Sequence, residues 1–192
     1  MSTSTSTSTK ALIGLLLAGT VGVIIFLFVH LSSEPGKPIS IGSTKASACS
    51  SGQKCLPDVS YTDTNGHVYT HKDLQGKVVV VNFWATWCKP CLKEIPDLSR
   101  VYETYKDQGV VILGILTDNP DADQLLNFQS DHEMTYPVIR SNSDIMVSFM
   151  YPESLPTTFV YDRGGREVFS RVGAVSEQAL AQVLAPLVAQ KM

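Results

Sequence analysis

The stretch Asn82–Pro96, NFWATWCKPCLKEIP, places Cys88 and Cys91 two residues apart, with both tryptophans of the chain and two prolines around them. Before it, Lys77–Ala85 (KVVVVNFWA) is a short, nearly continuous β-branched and aromatic run, the pattern of a strand buried on both faces. After it, Leu92, Ile95, Leu98, Val101, Tyr102 and Tyr105 recur at spacings of three and four, which predicts a helix over Lys89–Gln108, stopped by Gly109. The cysteines therefore sit where a buried strand hands over to a helix.

A C-x-x-C pair can be a disulfide clip, half a zinc site, a haem attachment or a redox centre. Structural zinc needs four ligands at knuckle spacing, whereas the other two cysteines, Cys49 and Cys55, are six apart, and His67 and His71 fall in a hairpin. Haem attachment would need histidine after the second cysteine, where Leu92 stands. A purely structural bridge would close almost no loop and so remove little unfolded-state entropy. The redox reading explains more. At a helix N-terminus, unpaired amides and the helix dipole favour the Cys88 thiolate. Cys91 lies one turn deeper on the same face and can resolve a mixed disulfide. Pro90 suits the first helical turn. Trp87 can flank an exposed sulfur as a flat apolar contact, or simply pack.

Working outward, DVSYTDTNGHVYTHKDL reads as a hairpin with a type I′ turn at Asn65-Gly66. Val110–Leu116 (VVILGIL) is a second buried strand. Asp118 or Asn119 is expected to cap the next helix, with Pro120 in its first turn and Leu125, Leu126 and Phe128 on its apolar side. TYPVI is a short strand, SDIMVSFMY a short helix, and PTTFVYD and REVFSRVG two strands joined through RGG. Ser176 caps a final amphipathic helix. Strand, helix, strand, helical crossover, hairpin and helix predict an α/β domain with a central mixed sheet flanked by helices.

The rest of the 192-residue chain adds a membrane expectation. Residues 1–10 begin with the polar repeat MSTSTSTST, read as a disordered tail. Ala11–Leu31 has no Asp, Glu, Lys or Arg and is about the ~20 residues a spanning helix needs, longer than the ~7–15 of a signal-peptide core. An uncleaved anchor at 11–31 is favoured over a cleaved signal. ASA at Ala46–Ala48 and Cys49 lie too far past the run for a cleavage or lipidation site. The charges flanking the run lean only slightly toward a cytoplasmic N-terminus. Residues 32–54, rich in Ser, Gly, Pro and Lys, form a linker, and 55–192 the folded domain. The net charge of −3 carries no basic stripe, so nucleic acid is not an expected partner.

VVVVNFWATWCKPCLKEIPDL resembles the thioredoxin superfamily, in particular its membrane-anchored, extracytoplasmic TlpA/ResA-type thiol–disulfide oxidoreductases. The resemblance runs over most of Pro57–Val188 and includes the DTNG hairpin, the region before YPV, and LPTTFVYDRGG. It implies a four- to five-stranded sheet, Cys88 as nucleophile, Cys91 as resolving cysteine, and Pro156 as a cis-proline facing the disulfide. Leu155 would offer backbone groups to an extended substrate, and Pro96 would kink the active-site helix. Glu94, near both sulfurs, is the expected proton-exchanging acid. Thioredoxins proper often place an acid at the position of Asn82, which cannot titrate. Lys89 between the cysteines departs from the acidic residue sometimes found there and should favour the Cys88 thiolate.

For an exported chain with an even cysteine count, Cys49–Cys55 reads first as a small structural disulfide, with a second redox pair or metal-binding thiols as the alternatives. His67 and His71 are expected to face solvent. The function expected is an anchored protein-disulfide reductase outside the cytoplasmic membrane, needing no cofactor. The resemblance implies a membrane thiol reductant of the CcdA/DsbD kind, and as substrates disulfide-containing proteins such as apocytochrome c or oxidase copper-site proteins. The alternatives are a thiol oxidase, a copper-binding or delivery module using Cys88 and Cys91, and a peroxidase, against which the C-x-x-C speaks.

Overall fold

The computed structural model describes residues 21–23, 25–27, 49 and 53–190. The chain divides into two units, Met1–Lys45 and Ala46–Met192. In the first, residues 21–23 and 25–27 are helical, and Val21, Val23, Ile25, Phe26 and Leu27 are exposed. Among the described residues no helix is long and apolar enough to cross a membrane, and most of the expected span at 11–31 lies outside them. The expected tail at 1–10 and most of the linker at 32–54 lie outside them as well.

The second unit runs β1 (Tyr61–Thr62), β2 (Val68–Tyr69), α1 (His71–Leu74), β3 (Val78–Trp84), α2 (Lys89–Tyr105), a 3₁₀ turn (Lys106–Gln108), β4 (Val110–Leu116), α3 (Ala122–Asp131), β5 (Val138–Arg140), α4 (Ser143–Ser148), β6 (Thr157–Tyr161), β7 (Glu167–Val172) and α5 (Glu177–Ala189). Its five-stranded sheet has the order β5-β4-β3-β6-β7. β3 pairs parallel with β4 and antiparallel with β6, so the sheet is mixed. β3 is central and every residue of it is buried, as its β-branched run requires. The period of two sends Val79, Val81 and Phe83 into one core, with Tyr61, Ile139, Ile145 and Phe149. Val78 and Val80 enter the other, against Leu98 and Val101 of α2 and Leu180 and Leu184 of α5. Asn82 thus belongs to the face that α2 covers.

Four local expectations are corrected. The hairpin turn is not type I′: Gly66 has φ 82°, but Asn65 is not in the left-handed region. Asp63 Oδ1 instead accepts from the N–H groups of Asn65 and His67, both at 2.9 Å, and Gly66 N–H donates to Asp63 O at 3.0 Å. A turn closed on an Asp carboxylate and followed by a left-handed Gly results. α3 is capped by Asp121, not Asp118 or Asn119, because Asp121 and Gln124 complete a reciprocal capping box. Leu126 is exposed, since α3 turns only Leu125 fully into the core. His67 is exposed, whereas His71 is half-buried at the start of α1, with Nδ1 sealed from solvent.

The chain enters the domain along the β6–β7 turn. Leu56 N–H donates to Gly165 O and Glu167 N–H to Lys54 O, both at 2.8 Å, and Cys55 bridges Arg166. Cys55 is disulfide-bonded to Cys49. Because Tyr161 pairs with Val79 and Thr157 with Phe83, this entry point lies at the end of the sheet away from the C-x-x-C.

Candidate active site

β3 ends at Trp84, and its chain turns through Ala85–Cys88 into α2. Cys88 is the N-cap of α2, and its Sγ accepts from the Cys91 N–H at 3.3 Å. The sulfur thus occupies the place where a helix offers its unpaired amides to an anion. Pro90 fits the first turn without loss, since its missing N–H would have had no partner there. Cys88 and Cys91 form a disulfide. Cys91 is sealed and Cys88 only 4 % exposed, so the attacking position is a slot rather than an open sulfur. Trp87 beside it is 70 % exposed, and simple packing does not account for that.

The Leu155–Pro156 peptide is cis, as expected, and Pro156 is buried. Leu155 is half-buried against the cluster formed by Cys88, Cys91, Trp84 and Ile95. Pro156 O accepts from Gly173 N–H at 2.8 Å, which ties this turn to the end of β7. Among the described residues, neither backbone group of Leu155 has a hydrogen-bond partner. Pro96 lies inside α2 and leaves Leu92 O without its helical donor.

Glu94 is one turn beyond Cys91 and is 2 % exposed. Its Oε1 accepts from Asn82 Nδ2 and its Oε2 from the Val175 N–H, each at 2.8 Å. Asn82 Nδ2 also reaches Thr158 Oγ1 at 3.0 Å. Burial pushes the Glu94 carboxyl up to about 7, against the two hydrogen bonds, which pull the other way. A carboxyl in that range, one helical turn beyond Cys91, can both take and give a proton near neutrality.

Sequence reading reached Cys88, Cys91, Glu94, Trp87, Leu155 and Pro156, and all but Trp87 are buried or half-buried around one end of the sheet. It missed Asn82 as the donor to Glu94, Thr158 behind it, and the Val175 amide. A polar residue inside an apolar strand was the available signal for Asn82. Nothing in the sequence marks a main-chain amide at Val175. Cys49–Cys55, expected as a clip, is bonded at the other end of the sheet and takes no part in this site.

The chain is similar to several known proteins. The AhpC/TSA family profile matches residues 52–167. The thiol-disulfide oxidoreductase ResA of Bacillus thuringiensis (strain Al Hakam) is 31% identical over 171 residues, 89% of this chain and 90% of that one. ResA of Bacillus subtilis (strain 168) is 32% identical over 124 residues, 65% of this chain and 69% of that one. A crystal structure of a thioredoxin family thiol:disulfide interchange protein from Chlorobium tepidum TLS superimposes with a TM-score of 0.65 at 27% identity, over 73% of this chain and all of that one. With a mixed sheet, a C-x-x-C at the start of α2 and relatives of this kind, the chain belongs to the AhpC/TSA family, among its thioredoxin-fold thiol–disulfide oxidoreductases.

Proposed function

We propose that the protein is an extracytoplasmic protein-disulfide reductase held at the membrane by residues 11–31. The observation that carries the reaction is the buried Glu94 carboxyl behind a C-x-x-C whose first sulfur caps a helix. In the dithiol form the Cys88 thiolate attacks one sulfur of a substrate disulfide. A mixed disulfide forms and the other substrate sulfur leaves as a thiolate, which takes a proton from water. Cys91 then gives its proton to Glu94, and its thiolate attacks Cys88 Sγ. The Cys88–Cys91 bond closes, and the second substrate thiolate departs and is protonated in turn. Two electrons pass from the cysteine pair to the substrate.

Trp87 and the backbone of Leu155 hold the substrate chain. A membrane thiol carrier of the CcdA/DsbD kind returns the electrons. Apocytochrome c and oxidase copper-site cysteines are substrates of the right chemistry. The exposed apolar side chains of Val21, Val23, Ile25, Phe26 and Leu27 support the anchor, together with the uncharged run around them.

The test is reduction of insulin disulfides by the full chain in detergent micelles, with dithiothreitol as electron source. The wild type turns over, Cys88→Ser does not, and Cys91→Ser accumulates as a mixed disulfide with substrate. A chain that oxidises a dithiol peptide faster than it reduces insulin is an oxidase, and the reductase reading fails. A reporter fused after Met192 that is active only on the cytoplasmic side overturns the location.

A further inference from the structure

The turn that carries Trp87 and Cys88 is fastened from outside its own helix. Cys88 N–H donates to Ala85 O at 3.1 Å, which makes Thr86 the second residue of that turn. Thr86 N–H donates to both carboxylate oxygens of Asp118, at 3.2 and 3.3 Å, and its hydroxyl donates to Oδ2. One residue earlier on the same loop, Thr117 donates to Trp84 O through its N–H at 2.9 Å and its hydroxyl at 3.0 Å. From β5, Arg140 Nη1 donates to Asn119 Oδ1 at 3.0 Å and to Pro120 O at 2.8 Å. The segments after β3 and β4 and the end of β5 are thus stitched into one collar at the redox end of the sheet.

We infer that Asp118 is a positioning residue of the redox site, gripping the Cys88 turn through Thr86 and setting, by its fixed charge, how readily Cys88 becomes a thiolate. The grip follows from the hydrogen bonds: a part-buried carboxylate that accepts an N–H and an O–H from one residue fixes that residue's backbone. The charge effect follows from distance. Asp118 is held within hydrogen-bond distance of Thr86, two residues before Cys88 in the same closed turn, so its carboxylate lies within roughly one screening length, ~10 Å, of Cys88.

A carboxylate there opposes the thiolate, against the N-terminus of α2 and Lys89, which favour it. Cys91 and Glu94 share α2 with Cys88, Asp97 and Arg171 act on Glu94, and Arg140 of β5 holds the loop that carries Asp118. Leu155 approaches from the β6 side without charge. A less stable Cys88 thiolate makes the dithiol a stronger reductant, which fits the proposed direction of electron flow. The inference rests on the reading of Cys88 as the attacking thiol.

The experiment compares wild type, Asp118→Asn and Thr86→Val as full chains in detergent at low ionic strength. Thiolate formation is followed by ultraviolet absorbance across pH, and the dithiol–disulfide equilibrium against glutathione. Asp118→Asn keeps an acceptor for Thr86 and loses the charge. It is expected to raise the Cys88 thiolate fraction at pH 7 roughly three- to tenfold and to shift the pair toward the dithiol form. Thr86→Val keeps the charge and loses half of the grip. It is expected to slow insulin reduction severalfold with an unchanged thiolate titration.

Superimposable titrations of wild type and Asp118→Asn overturn the charge effect, and wild-type turnover by Thr86→Val overturns the grip. Alkylation of the reduced wild type separates this from its premise: if Cys91 is labelled before Cys88, the assignment of the attacking thiol fails first. If Cys88 is labelled first and the variants match wild type, the role of Asp118 alone fails.

Discussion

At Glu94 a carboxyl that needs water when charged has been given two hydrogen bonds instead. Its pKa is raised from 4.5 to about 7 in the folded protein, so between those values the folded state binds more protons than the unfolded one. Stability must therefore fall as pH rises from about 4.5 to about 7 and level off above, by an amount on the order of 3 kcal/mol from this residue. Glu94→Gln should remove that slope. The check is chemical denaturation of oxidised wild type and variant across the same pH range, where parallel curves would show that Glu94 is not the source. Kinetically, Gln can accept a hydrogen bond but cannot carry the proton of Cys91. Stopped-flow reduction of a model disulfide should slow by up to ~100-fold, with a simpler pH profile. It should not stop, because the helix terminus and Lys89 still support the Cys88 thiolate.

Elements show which parts of a sequence speak for themselves. β3 and α2 could be read directly, because a β-branched run and a three–four spacing each have one physical reading. The hairpin and the cap of α3 could not. Asn65-Gly66 fits two turns, and the choice is made by Asp63, whose carboxylate grips Asn65 and His67. Asn65→Ala should therefore change stability by less than about 0.5 kcal/mol, while Gly66→Ala, at φ 82°, should cost about 1 kcal/mol. Equal losses in thermal melts would restore the type I′ reading. Asp121 caps α3 through its box with Gln124, while Asp118 is engaged by Thr86 in the turn after β3 and Asn119 by Arg140, contacts from distant residues that the local sequence does not show. In the site, Cys88, Cys91 and Glu94 were legible because they share one helix. The Val175 contact comes from 81 residues further on and leaves no local trace. Val175 directly precedes the N-cap of α5, so the placement of Glu94 depends on where that helix starts. Ser176, its N-cap, accepts from Ala179 N–H at 3.3 Å. Ser176→Ala should cost about 1 kcal/mol of stability, read as a lower melting temperature.

For the whole domain, the two disulfides divide the work between the two ends of the sheet. Cys49–Cys55 encloses a separation of six residues, for which the chain-entropy account gives about 2 kcal/mol. The Cys49→Ser/Cys55→Ser double variant should lose about that much stability and keep wild-type insulin reduction. A variant that folds but no longer turns over would make this pair a relay. The seven residues of β3 separate the two ends by roughly 20 Å.

The chain thus enters its domain at the far end from the Cys88 slot, like a handle set opposite a blade. A partner that presses on the cutting edge meets neither Lys54 nor Leu56, which are tied to the β6–β7 turn at the opposite end.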